Sequence, residues 1–155
     1  METGAPSAQV QLAGFLAKYT PEVAAEAVAS LERLRARVPG AVEMVYDNYN
    51  ALVIGFGATE RPSEAVLSIA VMPRWVTLCF LAGAGLPDPH GLLQGSGNLV
   101  RSLRLLGGAA EIDRPEVGEL IALAVARSVQ PFDPARERRM IVRSISAKQR
   151  PRRPK

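Results

Sequence analysis

The sequence predicts an α+β domain with a single, mostly antiparallel sheet of about five strands, N-terminal helices and one C-terminal helix packed against it. Three observations carry that expectation. Val23, Ala27, Leu31, Leu34 and Val38 recur at helical spacing and form one apolar stripe. Four runs rich in β-branched and aromatic residues follow, joined by connections too short for crossover helices, so neighbouring strands pair antiparallel. A second helical pattern, Val117, Leu120, Ile121 and Ala124, returns after them. Helices, then strands, then a helix is the order of an α+β domain.

Taken in order, Ala8 to Lys18 makes a short helix with Val10, Leu12, Phe15 and Leu16 on its apolar side. Thr20-Pro21-Glu22 starts the next helix with a hydroxyl cap, a proline at the first helical position and an acid in the first turn. Pro39-Gly40 stops it. Strands are expected over Val42 to Tyr46, Ala51 to Phe56, Ala65 to Val71 and Trp75 to Leu81, with a fifth near Val100 to Leu105. Leu67, Ile69 and Val71 alternate with Ser68 and Ala70, which gives one covered face and one lighter face. Asp113-Arg-Pro-Glu116 reads as a capping box for the last helix, which runs to about Val129 before Pro131. Met140 to Ile145 is apolar enough for one short strand or helical turn, and Lys148 to Lys155 is expected to be disordered. The expected organisation is a globular domain over 8–131 and a basic, largely disordered tail over 132–155.

At 155 residues and 48% hydrophobic, the chain is long enough to bury a core without staples. Its one cysteine, Cys79, excludes a disulfide framework and a Cys-rich metal site. Met1 to Gln11 shows neither the basic nor the apolar region of a secretory signal, and no apolar run reaches the ~18 residues of a membrane span. A cytoplasmic protein without a membrane partner is the expectation. The net charge of +4 conceals an asymmetry: residues 1–133 sum to −4 and residues 134–155 to +8. The basic character belongs to the tail.

Several segments resemble one family. Tyr46-Asp-Asn-Tyr-Asn-Ala-Leu-Val-Ile-Gly-Phe56, Met72-Pro-Arg-Trp-Val76, Gly85-Leu-Pro-Asp-Pro89 and Gly91-Leu-Leu-Gln-Gly-Ser-Gly97 resemble the YdhG-like domain family of small bacterial proteins, a domain of unknown function. The similarity covers roughly Gln11 to Val129, and Ser144 to Arg153 is similar to the tails of members. The resemblance implies an α+β fold with helices on an antiparallel sheet, and one branch is linked to frataxin-like iron delivery. Relatives often carry Lys and His where this chain has Asn98 and Ser102, so a role that depends on those groups does not carry over.

Read for chemistry, the residues offer no catalytic set and no cofactor motif. His90 is the one histidine, no Gly-x-Ser-x-Gly elbow exists, and Cys79 sits between Leu78 and Phe80 as a small buried hydrophobe would. The glycine-rich stretch from Gly83 to Leu105 lacks the lysine of a phosphate loop after Gly97 and reads as a structural connection, with Arg101 a candidate anion contact beside it. Glu111, Asp113, Glu116 and Glu119 are dense enough to suggest iron ligands, but acids at a helix start are favoured by the macrodipole alone. No metal site is assigned.

Two sets of candidate binding residues remain. Tyr46, Asn48, Tyr49 and Asn50 combine flat aromatic faces with amides that donate and accept, which suits a small-ligand pocket, an interface or a tight turn. Arg74 and Trp75 form a second such step at the next turn. In the tail, Arg136, Arg138, Arg139, Arg143, Lys148, Arg150, Arg152, Arg153 and Lys155 are candidate nucleic-acid contacts through charge alone, since no aromatic follows Phe132. The leading expectation is therefore a non-enzymatic module that binds a small molecule or protein at the two turns. Its alternatives are a nucleic-acid-associated accessory protein acting through the tail, and an iron chaperone acting through surface carboxylates.

Overall fold

The computed structural model describes residues 6–155 and contains three α-helices and one mixed six-stranded sheet. The helices are α1 (Ala8–Leu16), α2 (Pro21–Arg37) and α3 (Pro115–Ala126). The strands are β1 (Val42–Asp47), β2 (Leu52–Gly57), β3 (Ala65–Val71), β4 (Val76–Phe80), β5 (Arg101–Arg104) and β6 (Arg139–Ile145), in the spatial order β5-β4-β3-β2-β1-β6. β1 to β5 form an antiparallel meander. Among the described residues no helix is long and apolar enough to cross a membrane.

Local signals explain most element ends. The Thr20 hydroxyl accepts from Val23 N–H at 3.3 Å and Pro21 occupies the first turn of α2. Gly40 turns the chain from α2 into β1 at φ +79, a left-handed conformation in which a Cβ would sit 2.0 Å from the Asp133 carbonyl oxygen. The helices cover one sheet face: Leu31 and Leu34 of α2 and Leu120 and Ile121 of α3 join Val45, Ile54, Ile69 and Leu78 from the central strands in one core. By alternation, Gly55, Ser68, Ala70 and Cys79 lie on the opposite face, where Gly55 and Ser68 are buried and Ala70 and Cys79 are half-buried.

Two expectations are corrected here. The capping box at Asp113 does not form, because Asp113 accepts from Arg33 Nε of α2 at 2.9 Å and Ala109–Asp113 winds as a 3-10 turn. Arg114 therefore precedes Pro115 at the helix start, and its side chain makes no cap. The larger correction concerns the tail. Residues 139–145 form a sixth strand, which pairs parallel with β1 and makes β1 an interior strand of the sheet. Residues 146–155 then fold back over the end of β1 instead of dangling in solvent.

Candidate functional site

The reason for that fold-back lies in β1. Its alternation places Glu43, Val45 and Asp47 on the helix-covered face, so two carboxylates are fully buried there. A buried charge has to be paired. Arg35 of α2 grips Glu43 with two bonds of 2.8 Å, and Arg138 approaches it at 3.6 Å. At Asp47, one carboxylate oxygen accepts from Lys18 Nζ at 2.6 Å and the other from Arg152 Nη2 at 2.9 Å.

The Asp47 cluster extends through the strap formed by residues 146–155. The Gln149 amide accepts from Lys18 Nζ at 2.8 Å and donates to the Asp47 carbonyl at 3.0 Å. Arg152, only 6% exposed, also donates to the carbonyls of Asn48 and Tyr49 and lies 5.9 Å from the centre of the Tyr19 ring. The Tyr19 hydroxyl in turn donates to the Val71 carbonyl at 2.7 Å and accepts from Leu52 N–H at 3.1 Å. Burial alone would raise the Asp47 carboxyl, but bonds from Lys18, Gln149 and Arg152 outweigh it and leave the group below its ordinary range. Burial also pushes the Tyr19 phenol up.

This anchoring brings the two candidate sets together. The strap runs beside the turns after β1 and β3, and between them lies a cleft of about 450 Å³. Asn50, Met72, Pro73 and Arg74 line it from the turns, and Arg150, Pro151, Arg153, Pro154 and Lys155 line it from the strap. Four of those side chains are cationic and none is acidic. Prolines and Met72 supply an apolar floor. Arg153 is fixed by donating to the carbonyls of Lys18 and Ala17 at the end of α1, at 3.2 and 3.5 Å. Arg150 donates its backbone N–H to the Tyr49 carbonyl at 2.8 Å and holds its guanidinium 5.7 Å from the Tyr49 ring centre.

The remaining candidates lie elsewhere. Tyr46 is half-buried in β1, its hydroxyl against the Met44 sulfur at 3.9 Å, and Asn48 accepts from the Ser144 hydroxyl at 2.9 Å, tying β6 to the turn. Trp75 is not an open stacking platform: its indole N–H donates to Thr77 at 3.0 Å and the Arg104 guanidinium covers its ring at 4.6 Å. Trp75 does border a second cleft, of about 350 Å³, with Glu22 and Arg74. Arg101 spends its guanidinium on the carbonyls of Gly97 and Val100, at 2.7 and 2.9 Å, inside the glycine-rich loop. That loop is closed internally, with Asp88 accepting from the N–H groups of Leu92 and Leu93, both at 2.9 Å.

The tail cations divide the same way. Arg136 donates to the Ala58 carbonyl at 3.3 Å, Arg138 pairs with Glu43, Arg139 with Glu60, and Arg152 with Asp47. Those four groups are engaged within the fold, and of them Arg152 alone is buried. Arg143 and Lys148 are exposed and make no ion pair among the described residues. Three of the four acidic candidates are engaged as well: Glu111 accepts from Gly107 N–H at 2.6 Å, Asp113 pairs with Arg33, and Glu116 pairs with Arg114. Among the described residues no group of three or more His, Cys, Asp or Glu is placed to hold a metal ion.

Sequence reasoning passed over Lys18, Glu43, Asp47 and Gln149. A signal existed in β1 itself. Glu43 and Asp47 stand four apart in an otherwise apolar strand, on the face that also carries Val45, and buried acids require cations from elsewhere in the chain. Comparison with protein-family models, with curated proteins and with solved structures finds no match for this chain.

Proposed function

We propose that this chain is a non-enzymatic binding module of the YdhG-like type, and that its ligand is a phosphate-bearing anion held in the cleft between the turns and the strap. One observation carries the reading: Arg74, Arg150, Arg153 and Lys155 converge on a single cleft that no acidic side chain lines. Four like charges gathered at one site repel each other, so an anion that neutralises them gains the most from entering. Guanidinium groups suit phosphate oxygens in particular, because their planar fork donates two parallel hydrogen bonds. The strap is already anchored through Arg152, so little ordering entropy remains to be lost on binding.

This reading joins the two expectations drawn from the residues. The turns supply Asn50 and Arg74, and the tail supplies the other cations as part of a shaped wall. Calorimetric titration with inorganic pyrophosphate is the direct test. Saturable binding that weakens as salt rises supports it, together with a loss of about tenfold per removed cation in Arg74→Ala and Arg150→Ala, equal to one charged hydrogen bond of roughly 1.4 kcal/mol. Binding that is absent, or unaffected by both substitutions, refutes it.

A further inference from the structure

We infer that the cavity between β3, β4 and the C-terminal end of α3 is a second binding site, and that it takes a small zwitterion: a free α-amino acid with an aliphatic side chain. It shares no lining residue with the cleft beside the strap. Val66, Phe80, Leu86 and Ala124 form its apolar wall, and Glu64 and Arg127 supply one negative and one positive charge. Its volume of about 130 Å³ is close to the ~150 Å³ at which an apolar protein cavity takes up benzene. A branched aliphatic side chain fits within that size.

The two charges decide the class of ligand. The Glu64 side chain is only 12% exposed. One of its carboxylate oxygens accepts from the Thr59 hydroxyl at 2.6 Å, whereas the other makes no hydrogen bond and meets only the exposed Arg61 guanidinium, at 3.9 Å. A carboxylate withdrawn from water beside an apolar wall needs a further donor. Arg127 stands just past the end of α3 and donates one nitrogen to the Gly85 carbonyl at 2.7 Å, which leaves other N–H groups of its planar fork to bind. Glu64 and Arg127 line the same small cavity, yet among the described residues they form no ion pair with each other. A ligand with its own separated ammonium and carboxylate closes that gap by pairing with both at once. A simple amine or a simple carboxylate would answer one wall charge and leave the other, and a hydrocarbon would leave both.

The test is titration of the 15N-labelled full chain with leucine, read by amide chemical shifts, which measure affinities into the millimolar range. Isoamylamine and isocaproate keep the leucine side chain and drop its carboxylate or its ammonium respectively. Leucine should bind about tenfold tighter than either, the increment of one charged hydrogen bond. Glu64→Gln should weaken leucine and isoamylamine about tenfold and leave isocaproate unchanged. Arg127→Gln should weaken leucine and isocaproate about tenfold and leave isoamylamine unchanged. Each variant thus keeps one ligand whose unaltered binding shows that the cavity is folded. Isoamylamine or isocaproate binding as tightly as leucine, or leucine binding that neither substitution weakens, overturns the zwitterion. No saturable shift at Val66, Phe80, Leu86 or Ala124 with any of the three compounds overturns the site itself. None of these outcomes depends on the anion cleft.

Discussion

Replacing Arg152 by methionine should cost the domain about 2–4 kcal/mol. The guanidinium lies 2.9 Å from the fully buried Asp47 carboxylate, and removing one partner of a buried pair typically costs about 3–5 kcal/mol because the other charge is left uncompensated. Two features lower the figure. Lys18 remains 2.6 Å from the other carboxylate oxygen, and the Arg152 Nε, buried without an acceptor, no longer has to be desolvated. Methionine keeps the apolar volume against Tyr19, so a cavity contributes little. Urea unfolding followed by circular dichroism reads the loss directly: with an m-value of about 2 kcal/mol/M, the midpoint should fall by about 1–2 M. Asp47→Asn combined with Arg152→Met should recover a large part of that loss, because the unpaired carboxylate is then gone. A shift below about 0.3 M, or a double variant as unstable as the two single losses added, would refute the view that the pair anchors the strap.

Three further outcomes follow from the same geometry. Asp47 is held below the ordinary carboxylate range, so its stabilising contribution is complete above the unfolded value of ~3.9 and is lost as pH falls through the folded one; urea midpoints between pH 3 and 7 should decline more steeply on the acid side in the wild type than in Asp47→Asn. Gly40→Ala forces a Cβ into the left-handed region and toward the Asp133 carbonyl, which should lower the melting temperature by at least about 3–6 °C for a cost of roughly 1–2 kcal/mol. Burial raises the Cys79 thiol despite its hydrogen bond with Ser68, so iodoacetamide at pH 8 should label the native chain at least about tenfold more slowly than the urea-unfolded chain.

The meander was legible because its signals are local. Short connections dictate antiparallel neighbours, and Leu67, Ile69 and Val71 lie in the helix-packed core while Ser68, itself buried, and the half-buried Ala70 face the other way. The α2 start was equally plain from Thr20-Pro21. The capping box at Asp113 was misread because Arg33, eighty residues upstream, captures its carboxylate, and no local pattern reports a partner so distant. The tail was misread for the same reason. Its composition is that of a disordered polycation, yet Arg152 is drawn in by a carboxylate 105 residues earlier. Of the candidate site, the residue types were visible and their grouping was not: Asn50, Arg74 and Arg150 share one cleft only because Arg152 and Arg153 fix the strap beside the turns.

Amide chemical-shift mapping of the 15N-labelled chain titrated with pyrophosphate tests the central claim most directly. Perturbations confined to the amides of Asn50, Met72, Arg74, Arg150, Arg152, Arg153 and Lys155 are expected, with Arg136, Arg138 and Arg139 silent because their side chains are held by Ala58, Glu43 and Glu60. Shifts spread evenly over residues 136–155, or random-coil positions for the strap amides before any ligand is added, would contradict it.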